Sequence, residues 1–295
     1  MAFYNTKSVS RLAWGTQKLL FKRFSLAAQP RENIVINHLE SKDAGILILN
    51  LNKQERKNAL SIQMLADLNR AIDNVKKQIV RVLIIKSNVP GTFCAGADLK
   101  ERLTLTSKEL SQYNIQIRST MSRIYDLPIP VLAAIDGHAL GGGLELALAC
   151  DIRIVSSNAK LGLVETGHAI IPGAGGTARL PRTINPALAK ELIFTAKIFD
   201  GTQAKALGIA NHAVPQNEDG NAAYVKSLDI ARSILPNGPI AIRMAKFVIN
   251  KGIETDLSSA LAFEETGYAQ VIPTKDRIEG LKAFAEKRPS KYTGE

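Results

Sequence analysis

From residue 34 onward, apolar positions fall into two spacings. Short runs of aliphatic residues at 34–37, 46–51, 80–86, 131–135 and 152–155 are bounded by turn-forming residues, which predicts buried strands. Asp43, Ala44 and Gly45 supply one such turn, and the segment from Asn88 to Gly91 breaks another strand. Between the strands, apolar residues return every three or four positions. Leu65, Leu68, Ile72 and Val75 form one stripe and predict a helix over 61–78, with Ser61 as its N-cap. Further helices are predicted over 107–125, ending before Pro128, and over 141–149, opening at three consecutive glycines. After Pro186 the pattern is mainly helical, over 187–195, 202–207, 221–234, 239–250, 256–271 and 275–285. Strands first and helices last, with no low-complexity linker, predict one α/β core (32–220) carrying a helical C-terminal region (221–295).

Composition changes this picture mainly at the N-terminus. Of the 295 residues 45% are hydrophobic and 22% charged, which excludes a wholly disordered chain. No apolar run approaches the ~20 residues of a membrane span; the longest, Leu144 to Cys150, is interrupted by Glu145. Two cysteines, Cys94 and Cys150, cannot build a disulfide framework and lack the paired spacing of a zinc site. The net charge of +11 suggests a nucleic-acid partner, but Lys7, Arg11, Lys18, Lys22, Arg23 and Arg31 supply six of those charges before the first acid, Glu32. This acid-free stretch also carries Leu12, Leu19, Leu20, Phe21 and Phe24, together with Ser8, Ser10, Thr16 and Ser25. Residues 1–31 therefore read as a mitochondrial transit peptide, cleaved between Phe24 and Glu32, and the expected location is the mitochondrial matrix. A basic tail without an address is the alternative.

Three segments carry candidate chemistry. Gly141, Gly142 and Gly143 open a helix made of Leu and Ala, whose single charge is Glu145. Consecutive glycines let backbone approach a ligand and leave N–H groups free at a helix start. A carboxylate in such surroundings is either a first-turn acid facing solvent or a desolvated group with a raised pKa. Glu165 lies between apolar runs, just before a second glycine-rich turn spanning Gly173 to Gly176. Two semi-buried glutamates suit general acid–base work, one giving and one taking a proton; unrelated surface acids would show the same spacing. In the third segment, Ala95, Gly96, Ala97 and Asp98 follow a buried strand, with side chains too small to obstruct a ligand. Backbone donors from this turn and from the triple glycine could converge on one oxygen as an oxyanion hole. A tight strand–helix turn would look alike. His38, His138, His168 and His212 share no metal-site spacing, and Cys94 fits a small hydrophobe better than a nucleophile.

These three segments, in this order, resemble the crotonase family, the enoyl-CoA hydratases and isomerases, from about Ile34 to the C-terminus. The resemblance implies a spiral of strand–strand–helix turns whose C-terminal helices assemble trimers or hexamers. It implies Glu145 as the carboxylate that deprotonates water for attack at the β-carbon and Glu165 as the one that protonates the α-carbon. It implies an oxyanion hole from the N–H groups of Ala95 and Gly142, and an acyl-CoA site lined by Ala95, Gly96, Ala97, Asp98 and Gly142. The partner is then an acyl-CoA thioester, with no metal and no separate cofactor. The tail from Ile272 to Arg288 resembles the subgroup that hydrates 3-methylglutaconyl-CoA in leucine catabolism. Such a substrate needs a cation for its distal carboxylate. Arg56, Lys57, Lys282 and Lys287 are candidates for the CoA phosphates. Alternatives on the same scaffold are a Δ3,Δ2-enoyl-CoA isomerase and a short-chain enoyl-CoA hydratase of fatty-acid oxidation. Retention of both glutamates favours hydration. RNA binding, described within the family, needs a row of cations on the first helix. Here Ile62 and Ala66 occupy that row and Asp67 and Asp73 dilute it, so any RNA binding is expected to be weak and salt-sensitive.

Overall fold

The computed structural model describes residues 32–295; the expected transit peptide, 1–31, lies outside the described residues. Ten strands form two sheets. In the larger, β2 (Ile46–Leu51), β3 (Val82–Ser87), β5 (Val131–Ile135), β7 (Ile152–Ser156) and β10 (His212–Val214) run parallel in that order, and β1 (Ile34–His38) closes one edge antiparallel to β2. The smaller sheet contains β4 (Thr92–Cys94), β6 (His138–Leu140), β8 (Lys160–Gly162) and β9 (Phe199–Asp200), the last one antiparallel. β3 and β4, β5 and β6, and β7 and β8 are successive in the chain, so each turn of the spiral gives one strand to each sheet.

The large sheet is apolar on both faces, and alternation sorts its residues between two cores. Leu47, Leu49, Leu51, Leu83, Ile85, Val131 and Ala133 pack in the larger core with α1 (Ile62–Lys76) and α3 (Ser107–Tyr125). Their neighbours Ile46, Ile48, Val82, Ile84, Leu132 and Ala134 pack in the smaller core beneath α8 (Ala222–Ile234), through Ala223 and Ala231. A parallel sheet covered on both sides is what continuous apolar strands require. Helix starts follow local capping. Ser61 accepts from the Met64 N–H at 3.2 Å at the head of α1, and Thr106 and Glu109 form a capping box on α3.

Between strands and C-terminal helices lie α2 (Leu99–Arg102), α4 (Gly142–Leu148), α5 (Gly176–Thr183), α6 (Pro186–Phe194) and α7 (Gly201–Ala206). The chain ends in α9 (Pro239–Gly252), α10 (Leu257–Val271) and α11 (Lys275–Ala285). α9 and α10 pack on each other, with the Phe247 and Phe263 rings edge to face at 6.3 Å. Lys246 ties α9 to the core through Asp151 at 2.7 Å and the Ile129 carbonyl at 2.9 Å.

α4 is buried over its whole length. Gly143 makes this possible, because a methyl at its Cα would sit 2.1 Å from the Cys94 carbonyl oxygen at the end of β4. Gly143→Ala must therefore push α4 off the small sheet. It is expected to cost at least the ~1–3 kcal/mol of an overpacked core, measured as a lower urea midpoint at unchanged m-value. A midpoint equal to wild type would show that α4 and β4 can separate freely.

Candidate active site

β4, β6 and β8 are parallel neighbours, so the segments that leave their C-terminal ends stack side by side. These are Ala95–Asp98, the glycine turn into α4, and the stretch leading to Glu165. In the first, Gly96 adopts φ +91°, and a methyl there would lie 2.7 Å from the Leu140 carbonyl; only glycine permits this approach. Asp98 caps α2 by accepting from the Glu101 N–H at 3.2 Å. Arg56, a candidate for CoA phosphate, stands 3.9 Å from Asp98.

The expected donor pair is corrected by one member. The Ala95 N–H donates to the Lys57 carbonyl at 3.0 Å and has nothing left for a ligand. Ala97 is the residue whose amide faces the triple glycine: a methyl on Gly142 would lie 3.4 Å from the Ala97 nitrogen. Among the described residues, neither the Ala97 nor the Gly142 N–H has an acceptor. Two adjacent free amides at a helix start form a preorganised anion site. Ala95 stays beside it as part of the cavity wall.

Glu145 projects from the first turn of α4 and is only 3% exposed. Its Oε1 accepts from the Ala174 N–H at 2.8 Å and the Gly176 N–H at 2.7 Å. Burial pushes its pKa up, while these two donors and the nearby guanidinium groups of Arg179 and Arg118 oppose the rise. The solvent-facing reading of Glu145 is thus set aside.

Glu165 opens a short 3-10 turn, Glu165–His168, and lies against Gly141. Its Oε2 is buried without a hydrogen-bond partner. Burial, then the charge of Glu145, raises its pKa to about 7. Both glutamates, Ala97, Gly142 and the turn at Gly173 and Ala174 line one cavity of about 480 Å³. Tyr113 closes part of its wall, its hydroxyl donating to the Leu60 carbonyl at 2.6 Å. One carboxyl group well supported by amides, a second weakly supported, and a pair of amides without a protein acceptor can together move protons beside a stabilised oxyanion.

Several of these features escape sequence reasoning. The Ala174 and Gly176 amides belong to a turn whose glycines signalled free N–H groups but not their carboxylate partner. Arg102 and Arg118, which also line the cavity, sit in helices with nothing local to mark them. Cys94 is buried and its thiol is pushed up to about 12 by desolvation, as befits a packing residue. His168 lines the cavity, whereas His138 does not. Among the described residues, no group of three His, Cys, Asp or Glu could hold a metal, and no helix is long and apolar enough to cross a membrane.

Comparison with known proteins agrees with this geometry. The profile of the family described as enoyl-CoA hydratase/isomerase matches residues 41–295. The chain is 54% identical over 284 residues to the mitochondrial methylglutaconyl-CoA hydratase of Mus musculus, covering 96% of this chain and 90% of the relative. It is 50% identical over 262 residues to the mitochondrial enoyl-CoA hydratase domain-containing protein 2 of Mus musculus, covering 88% of each. The crystal structure of enoyl-CoA hydratase from Bacillus anthracis superposes with a TM-score of 0.84 at 44% identity, covering 89% of this chain and all of that one. The chain belongs to the enoyl-CoA hydratase/isomerase family.

Proposed function

We propose that the protein is a mitochondrial enoyl-CoA hydratase that adds water to 3-methylglutaconyl-CoA. The observation that carries the chemistry is the unequal support of two buried carboxyl groups in one cavity. Glu145 has two amide donors from the facing turn that favour its anion; Glu165 has only its own backbone N–H, one buried oxygen without a partner, and a pKa near 7. Glu145 is therefore the base and Glu165 the acid.

The thioester oxygen accepts from the Ala97 and Gly142 N–H groups, which draws electron density from the β-carbon. Glu145 takes a proton from water as its oxygen bonds to that carbon, and the carbon–carbon π electrons move onto the thioester as an enolate. Glu165 then gives its proton to the α-carbon and the carbonyl reforms. Glu145 ends protonated and Glu165 ionised, and a proton exchange through solvent resets the pair. No electrons are gained or lost, so the reaction calls for no redox carrier, and we assign no metal to it. An isomerase needs only one carboxyl group to shuttle a proton between carbons, and the pairing of two opposed groups favours hydration.

The substrate and the compartment rest on other support. Half of all positions are shared with mitochondrial methylglutaconyl-CoA hydratases over nearly the whole chain. The first 31 residues carry six cations and no acid. A homotrimer or hexamer is supported by apolar residues that a single chain leaves exposed on its last helices, among them Leu257, Leu261, Tyr268, Leu281 and Phe284. RNA binding is assigned a weak, salt-sensitive role at most. On α1 Asp67 pairs with Arg70, and Asp73 with Arg123 of α3, so carboxylates interrupt the row of cations that RNA would need.

Four outcomes are expected. Hydration followed by loss of the enoyl absorbance should show a higher kcat/KM for 3-methylglutaconyl-CoA than for crotonyl-CoA. Preference for crotonyl-CoA would discard the substrate and keep the mechanism. Glu145→Gln and Glu165→Gln should each lower kcat by about 100- to 10,000-fold. In the wild type kcat/KM should fall as pH rises through about 7, where Glu165 loses its proton. A profile flat from pH 6 to 9 refutes the acid role. Stability should show the opposite face of the same shift. The folded state binds the Glu165 proton more tightly than the unfolded chain, so ionisation costs stability that grows from about pH 4.5 to about 7. Glu165→Gln is therefore expected to melt higher than wild type at pH 8, with a smaller gain at pH 5. An equal difference at both pH values would remove burial of the charge as the cause.

A further inference from the structure

The proposed substrate carries a carboxylate two bonds beyond its β-carbon, and this group would enter the cavity beside the anion of Glu145. An unpaired carboxylate is not tolerated there, so a cation must meet it. Two guanidinium groups line the cavity, Arg102 and Arg118. Their places differ. Arg102, the last residue of α2, stacks over the Tyr113 ring at 5.6 Å, and its charge acts on Glu165. Arg118, on α3, donates from Nε to the Gly173 carbonyl at 3.2 Å. Gly173 directly precedes Ala174, whose N–H holds Glu145. Arg118 is thus tied to the Glu145 side of the cavity, which the mechanism assigns to the β-carbon and everything beyond it.

Resting on that hydration reading, the geometry points to Arg118 as the residue that binds the distal carboxylate of the acyl group. Among the described residues, its Nη1 and Nη2 atoms have no acceptor and no carboxylate pairs with it. With Nε anchored on a backbone carbonyl, the two terminal nitrogens remain as a fork that matches a carboxylate. Arg118 also borders a second, adjoining cavity of about 850 Å³, walled in part by Tyr125, Arg179 and Lys246. It therefore stands where the two cavities meet, and we place the end of a short dicarboxylic acyl group there. A neutral acyl chain of four carbons offers the guanidinium no charge to pair with.

The test is binding of two unreactive thioesters, glutaryl-CoA and butyryl-CoA, to the full chain by titration calorimetry. Glutaryl-CoA places its carboxylate at the same remove from the β-carbon; butyryl-CoA has none. Arg118→Gln should weaken glutaryl-CoA about 10- to 100-fold relative to butyryl-CoA, the worth of a charge-assisted pair of hydrogen bonds. Arg118→Lys should recover part of the loss, and Arg102→Gln should leave the glutaryl to butyryl ratio near the wild-type value. Equal weakening of both thioesters by Arg118→Gln would make it a structural residue and overturn the inference. So would loss of the ratio in Arg102→Gln instead. Neither result depends on turnover. If wild type binds glutaryl-CoA through Arg118 but does not hydrate 3-methylglutaconyl-CoA, the substrate assignment fails and the carboxylate site stands.

Discussion

One carboxylate oxygen receiving two backbone N–H groups is the contact around which the site is organised. Glu145 sits in a helix of seven residues, all buried, and a helix that short has no stability of its own. Its place is set from outside. At the start, the Ala174 and Gly176 amides hold the Glu145 side chain. At the far end, the buried guanidinium of Arg153 donates to the Cys150 carbonyl at 2.7 Å, the Ala147 carbonyl at 3.4 Å and the Ile209 carbonyl at 2.7 Å. An anion in the first turn and a cation at the last carbonyls both suit the helix dipole. Breaking either contact would leave a buried charge without a partner, which costs about 3–5 kcal/mol. The same clamp that keeps α4 in register favours the anionic form of the base against the cost of its burial.

Glu165 shows the reverse arrangement. A buried carboxyl oxygen without a partner is a departure from the rule that such atoms are satisfied. Folding retains it because the neutral form is the useful one. Supplying a donor would lower its pKa and take away the acid, while exposing it would let water compete for the enolate. Placing it within reach of the Glu145 charge raises it further. The two groups therefore define each other: the better the first is held as an anion, the more firmly the second keeps its proton.

Sequence patterning reveals the large sheet because β2, β3 and β5 bury both faces and so read as unbroken apolar runs. The long helices are equally legible: 107–125 is found as Ser107–Tyr125, and 61–78 is found as Ile62–Lys76. The small sheet is not, because β4, β6 and β8 have three residues each and pair with partners far along the chain, Thr92 with His138 and Ala139 with Leu161. Nothing local marks such strands, and β10 likewise hides within a stretch read as helical. The glutamates stood out by contrast with their surroundings, an isolated charge among Leu and Ala. The donor amide did not. Whether Ala95 or Ala97 presents a free N–H depends on the carbonyl of Lys57, a residue in a left-handed conformation (φ 49°) far back in the chain. Arg118 reads as one more exposed position of an amphipathic helix, and only the fold brings it to Gly173.

These hidden strands are what make the site. Parallel neighbours release their following loops at the same edge of a sheet, which is where α/β folds bind ligands. β4 delivers the Ala97 amide, β6 delivers Gly142 and, one turn on, Glu145, and β8 delivers Glu165. Three successive turns of the spiral thus contribute one function each, and their spacing is the spacing of the strands. The order of roles along the substrate follows from the order of strands in the sheet, with oxyanion donors at the β4–β6 seam and the acid beyond β8. That leaves α3, which crosses outside the sheet, as the element free to vary with the acyl group. A residue there can change which thioester is accepted while the strands keep the chemistry common to all of them.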